Sequence, residues 1–231
     1  VERASIGGKG VILGESMYLD SEVIDIALRT IYISGSATLL ASLWSIPISY
    51  TMAMRKPRSS VEAIFEALVG LPTVLLGLLL YYLFNSSGPL GFLQLLYTPT
   101  AMIIGEAILI TPILISVSYR YTKTYSKQIS ELAISLGATR IQTQVLIIRE
   151  TSAGLTASII MGFSRAMGEL GIALMVGGNL KDYTRVMTTA IAFDVSRGEF
   201  ERGLVLGLLL LLIMILIAIA IKSLGVVGAR G

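Results

Sequence analysis

The sequence predicts an all-α integral membrane protein with about five transmembrane helices, and three observations carry that expectation. Of its 231 residues 54% are hydrophobic and the mean hydropathy is +0.79, too apolar for a soluble domain of that length. Apolar runs of about 20 residues, the length a helix needs to cross a bilayer, recur five times. Basic residues crowd some of the intervening loops and spare others, which is the asymmetry that orients membrane helices. Residues 1–231 are accordingly expected to form a single transmembrane domain.

The first span is placed near 24–52, too long for one straight crossing, so it is expected to tilt or protrude. A short loop with Arg55, Lys56 and Arg58 follows. The second span, near 61–84, holds Pro72 and is expected to kink there. Residues 85–99 carry no Lys or Arg and contain Ser86-Ser87-Gly88-Pro89, a turn-rich connection on the opposite side. The third span, near 100–119, carries Pro112, another expected kink. The loop 123–150, flanked by Arg120, Lys123, Lys127, Arg140 and Arg149, should face the cytosol. A fourth span near 154–177 and a fifth near 203–222 complete the set, which puts the N-terminus outside and the C-terminus inside. The segment 178–202 then lies outside despite Lys181, Arg185, Arg197 and Arg202. Its acidic residues balance them, so it is read as an ordered extracellular element with a short helix around 184–193. Ser158, Gly162 and Ala166 line one helix face, and Gly203 and Gly207 form a Gly-x-x-x-Gly, both read as close helix contacts.

What is missing narrows the chemistry. No cysteine and no histidine occur, which removes thiolate chemistry, imidazole ligands and histidine general bases. No catalytic, metal or cofactor-binding residues are assigned. The Gly-x-x-x-x-Gly-Lys-Ser/Thr phosphate loop is absent as well, so any ATP or Mg²⁺ would be bound by another chain. Nothing points to nucleic acid.

Two constellations stand out. In the loop, Ile129, Leu132, Ala133 and Leu136 follow i, i+3, i+4, i+7 spacing and make one apolar helix face. Gly137 can close that helix in the left-handed conformation, and Thr139 with Gln142 forms a capping box that opens the next, whose stripe is Ile141, Val145 and Ile148. The result is an elbow of two short amphipathic helices, suited to docking a soluble partner. Within the spans, Arg29, Glu106, Arg165 and Glu169 are costly charges that need partners. Counting about 1.5 Å per residue sets the first, second and fourth at similar depth. Arg165 and Glu169 are an i, i+4 pair. Two readings stand: a neutral network that ties helices together, or the lining of a path or gate for an anion. Asn179, Lys181, Thr184 and Arg185 likewise read either as an anion-facing outer mouth or as the polar side of a solvated element. Gly177-Gly178-Asn179 offers backbone amides to an oxyanion or simply ends a helix.

The pattern Glu131-x-Ala133-x-x-x-Gly137, leading into a second amphipathic helix between the third and fourth spans, resembles the ATPase-docking loop of ABC-importer permeases. Arg149-Glu150 stands where that family usually has Leu-Pro, a departure that resembles the tungstate-type branch. Gly88-Pro89-Leu90-Gly91, Tyr97-Thr98-Pro99-Thr100-Ala101-Met102, the run Arg165 to Gly171, Met175 to Asn179 and Thr184 to Ala192 are similar to permeases of tungstate and molybdate importers over roughly 88–200. The resemblance implies the ABC-importer permease fold with cytoplasmic coupling helices. It further implies a multi-pass subunit of a prokaryotic cell membrane, a homodimer with the path on its two-fold axis, two ATP-binding subunits and an extracellular oxyanion-binding protein. Glu131, Leu132, Ala133, Gly137 and Ala138 would then form the ATPase contact. Sulfate, phosphate or an amino acid are alternative cargoes on the same fold. An ATP-independent secondary transporter or channel is an alternative class, one that leaves the elbow without a purpose. An intramembrane enzyme would lack a histidine base.

Overall fold

In the computed structural model, residues 7–55 and 59–230 are described, with side chains over 21–55 and 59–223. Among them the regular structure is all helical, with no strand. Eight α-helices follow in order: α1 Gly7–Arg55, α2 Ser59–Leu68, α3 Thr73–Phe84, α4 Pro99–Ser135, α5 Arg140–Glu150, α6 Ser152–Met167, α7 Met187–Ser196 and α8 Phe200–Arg230. A 3₁₀ turn at Gly91–Leu93 and a π-helical turn at Ala173–Gly177 fill two of the connections. By length and composition, three helices are fit to cross a membrane: Ser21–Arg55, Pro99–Ser135 and Phe200–Ser223. The number rises to five if each of two bent pairs is one span, α2 with α3 at 89° and α5 with α6 at 48°.

The central unit is α1 running parallel to α4, with Ser34 beside Glu106 and Trp44 bonded to Thr111 further along both, and with α6 against both. Small residues let these backbones approach. Ala37, Ala41, Ala107 and Ala166 share a buried cluster with Ile110 and Leu114. A Cβ on Gly162 would meet Leu114 at 3.1 Å, and Ser118 donates to Ser158 at 2.8 Å. The expected small-residue face of the fourth span is therefore a real contact. Gly203 likewise packs on α7, where a Cβ would come within 3.0 Å of Val195. Hydroxyls are accommodated because the helix itself satisfies them: Thr30 donates to the Ile26 carbonyl and Thr38 to that of Ser34, both at 2.7 Å.

Four element boundaries differ from the sequence expectation. The second span is not one kinked helix over 61–84. Pro72, with ψ 119°, is the extended residue that starts α3, and α2 turns nearly at right angles to lie across α4, where Glu62 takes Lys123 at 2.8 Å and Tyr119, and Glu66 takes Arg120 at 2.6 Å. Pro112, by contrast, leaves α4 continuous. That helix runs 37 residues to Ser135, so the first arm of the elbow is the end of the third span rather than a separate helix. The fourth span breaks after Met167: Gly168 is the C-cap of α6, and the chain resumes only as the π-helical turn. The short helix expected around 184–193 is α7, shifted three residues onward because Thr189 rather than Thr184 caps its start, its hydroxyl accepting from the Val186 amide at 3.0 Å. Lys56 and Arg58 lie outside the described residues.

Candidate functional site

Three groups of residues were singled out by the sequence, and the structure resolves them differently. The elbow is the most exposed. Leu136 is its C-cap on the α4 side, Gly137 has φ +79° with open space around it, and Thr139 and Gln142 form the reciprocal capping box at 3.3 and 2.8 Å. Thus the local sequence signals set the bend as read. Leu132, Leu136, Ile141, Val145 and Ile148 all face outward, Leu136 with 78% of its surface exposed. Glu131 is also exposed, with Lys127 at 3.9 Å. Ala133 departs from the expectation. It is buried, as Thr143 and Ile147 are on α5, which packs against α4, and its carbonyl accepts from Ala138 N–H at 2.9 Å. Ala133 fills the inside of the elbow, because one residue along a helix turns the side chain by about 100° from Leu132.

The second group lies where α6 breaks. Arg165 Nη1 donates to Glu169 Oε2 at 2.8 Å across the break, and the other carboxylate oxygen caps the following turn by accepting from Ile172 N–H at 3.0 Å. Thr188, at the start of α7, donates to the Glu169 carbonyl at 2.7 Å. Glu169 is buried, whereas Arg165 keeps about a third of its side chain exposed, 34%. Glu106 is buried on α4 within electrostatic reach of both, with the Ser34 hydroxyl as its hydrogen-bond neighbour. Arg29 is not part of this cluster. It sits about 7.5 Å before Ser34 along α1 and donates to the Arg185 carbonyl at 3.0 Å. The depth count missed this because α1 starts well before residue 24, so its ends did not mark the bilayer.

The third group caps the end of the bundle away from the elbow. Glu22, on α1, was not singled out, yet Arg185, Arg202 and Lys181 converge on it at 3.6, 3.7 and 3.8 Å. An acidic residue at the mouth of a span, opposite a segment rich in Lys and Arg, was the signal available. Arg185 is further held by Asn179 Oδ1 at 3.2 Å and lies over the Phe193 ring. Thr184 is fully buried, donating to the Gly177 carbonyl at 2.5 Å and accepting from Leu180 N–H at 2.9 Å, so it ties the loop together and leaves no hydroxyl for a ligand. The amide of Gly178 is likewise spent on the Leu174 carbonyl at 3.2 Å, where the π-helical turn ends. Lys181 alone of this group is largely free of the fold, 61% exposed. Arg202 also pairs with Asp194 at 3.3 Å; burial pushes the Asp194 carboxyl above its usual range and Arg202 draws it back.

A bundle of long apolar helices, broken at a buried ion pair and ending in an exposed apolar elbow, defines a membrane transport component rather than a soluble binding module. The sequence bears this out: residues 37–227 match the model of the binding-protein-dependent transport system inner membrane component, and the chain belongs to that family. It is 38% identical over 207 residues to the tungstate uptake system permease protein TupB of Peptoclostridium acidaminophilum, covering 89% of this chain and 91% of that one. A probable anion ABC transporter permease protein of Haloferax volcanii is 32% identical over 194 residues, 81% of this chain and 84% of the relative. The TupB of Campylobacter jejuni is 34% identical over 154 residues, 67% and 64% of the two chains.

Proposed function

We propose that this chain is the permease subunit of an ATP-driven importer of an oxyanion, tungstate, and that it works as a homodimer with the path along the two-fold axis. The observation that carries the cargo is the likeness over nine-tenths of the chain to a tungstate uptake permease. Relatives named for sulfate and molybdenum transport are less similar, at 28% and 25% identity. ATP hydrolysis belongs to a separate subunit bound at the elbow, through Leu132, Leu136, Ile141, Val145 and Ile148, with Glu131 at the rim. That end faces the cytoplasm, and the Glu22 cap faces outward toward a binding protein.

Arg165 is the residue we assign to the path. Its partner neutralises one side of the guanidinium while the exposed remainder offers donors to a dianion. Reconstitution with the ATPase and binding protein in proteoliposomes tests the reading. Tungstate should accumulate only with ATP, and excess sulfate should not compete. Accumulation driven by an ion gradient without ATP, or equal competition by sulfate, would overturn it.

A further inference from the structure

The elbow meets the spans at one corner, Thr151, where α5 gives way to α6 at 48°. A bend between two helices would absorb a push on the elbow unless something holds it. We propose that Tyr50 of α1 and Tyr121 of α4 clamp this corner and act as positioning residues, so that the elbow and the near end of α1 move together; the proposal rests on the elbow being the ATPase contact.

The hydrogen-bond accounting fixes the direction of the first contact. Thr151 is fully buried and its hydroxyl proton goes to the Ile147 carbonyl at 2.7 Å. Tyr50 Oη, 2.5 Å from Thr151 Oγ1, must therefore be the donor, with the Ile148 carbonyl as a second acceptor at 3.4 Å. One phenol thus reaches both the last turn of α5 and the corner residue from a helix 101 positions distant in sequence. On α4, the Tyr121 ring closes over Gly154, in the first turn of α6. A Cβ on Gly154 would lie 2.2 Å from Tyr121 Cγ, so the glycine is required by the close approach. Tyr125 backs the ring, with centroids 4.9 Å apart. Neither jaw is charged, so the clamp does not depend on pH or salt in the ordinary range.

The natural chain has no cysteine, so spin labels can be placed singly at Arg149→Cys on the elbow, outside the apolar stripe, and Met54→Cys on α1, both exposed, in the complete complex with ATPase and binding protein. ATP binding should change both label-to-label distances between protomers. In Tyr50→Phe the elbow distance should still change, the α1 change should fall to less than about half, and ATP consumed per imported ion should rise. Thr151→Ser should behave as wild type and Thr151→Val as Tyr50→Phe, with the double variant no worse than either. Amide exchange at residues 151–154 in the permease alone should speed up about fivefold in Tyr50→Phe, the effect of losing one buried hydrogen bond. A wild-type α1 shift and ATP ratio in Tyr50→Phe, or unchanged exchange, would overturn the clamp. The exchange measurement needs no ATPase, so it separates failure of the clamp from failure of the docking assignment, which would show instead as an elbow that ATP does not move in the wild type.

Discussion

Removing Arg165 leaves Glu169 with its Oε2 facing a buried environment and only the Ile172 amide on Oε1. Breaking a buried ion pair from one side costs about 3–5 kcal/mol, and the partial exposure of Arg165 puts Arg165→Ala near the lower end. The reverse change is cheaper. Glu169→Gln keeps an oxygen for Ile172 N–H, and the stranded guanidinium is already partly exposed, so about 1 kcal/mol is expected. Arg165→Ala with Glu169→Gln removes both charges and should recover about 2 kcal/mol of the single-mutant loss. For a chain of this size about 1 kcal/mol moves Tm by about 2–4 °C. Heating purified protein in lipid nanodiscs and following the folded fraction by size exclusion should therefore place Arg165→Ala about 6–12 °C below wild type, Glu169→Gln about 2–4 °C below, and the double variant beside Glu169→Gln. A double variant as unstable as Arg165→Ala would refute the pairing. If Arg165→Ala lies within about 2 °C of wild type, the pair contributes nothing to the fold.

Gly137→Val should cost about 1–3 kcal/mol of local backbone strain, because the left-handed φ excludes a β-branched residue while the surrounding space is open; ATPase stimulation by the loaded binding protein should fall while the spans keep their Tm, and full stimulation would remove Gly137 from the mechanism. Lys181→Gln should lower the rate of tungstate uptake, more at low ionic strength than at high, and leave stability unchanged. A rate independent of salt would mean that Lys181 does not attract the anion. Arg185→Gln, by contrast, should reduce stability, since Glu22, Asn179 and Phe193 all lean on its side chain; an unchanged Tm would contradict that structural role. Glu62→Gln with Glu66→Gln should free α2 from α4 and raise protease cleavage between residues 55 and 73, and protection equal to wild type would show the two ion pairs to be incidental.

Legibility followed range. Signals confined to a few residues were readable: the glycine at the elbow, the Thr139 capping box, the small-residue face of α6 and the i, i+4 pair of Arg165 and Glu169 all stand where local spacing puts them. The break after Met167 was not readable, because hydropathy stays high through Ile172 to Val176 and the feature that stops the helix is tertiary. Thr188, 19 residues on, holds the Glu169 carbonyl, which frees the Glu169 side chain to cap the Ile172 N–H of the next turn. The same holds at Glu62 and Glu66, which look like the ragged edge of an apolar run until α2 is laid against Arg120 and Lys123. Glu22 was overlooked because its three partners lie about 160–180 residues away in the chain, where only a shared side of the membrane, and no spacing, links them to it.

The placement of the breaks bears on how such a permease moves. A continuous α4 joins the elbow directly to Glu106, so a displacement of the elbow is carried along one rigid helix toward the middle of the bundle. The neighbouring α6 starts at the same corner but stops at the ion pair, and its continuation is a π-helical turn followed by the Glu22 cap. A rigid rod beside a broken one converts a tilt at the elbow into relative sliding at the break, where Arg165 is the only side chain of the Arg165, Glu169 and Glu106 cluster that is not buried. The Thr188 hydrogen bond makes α7 part of the same joint. Thr188→Val should therefore loosen the outer cap from the break and slow uptake without altering ATPase docking at the elbow. Equal uptake in Thr188→Val and wild type, at equal amounts of assembled complex, would show that the cap moves independently of the ion pair.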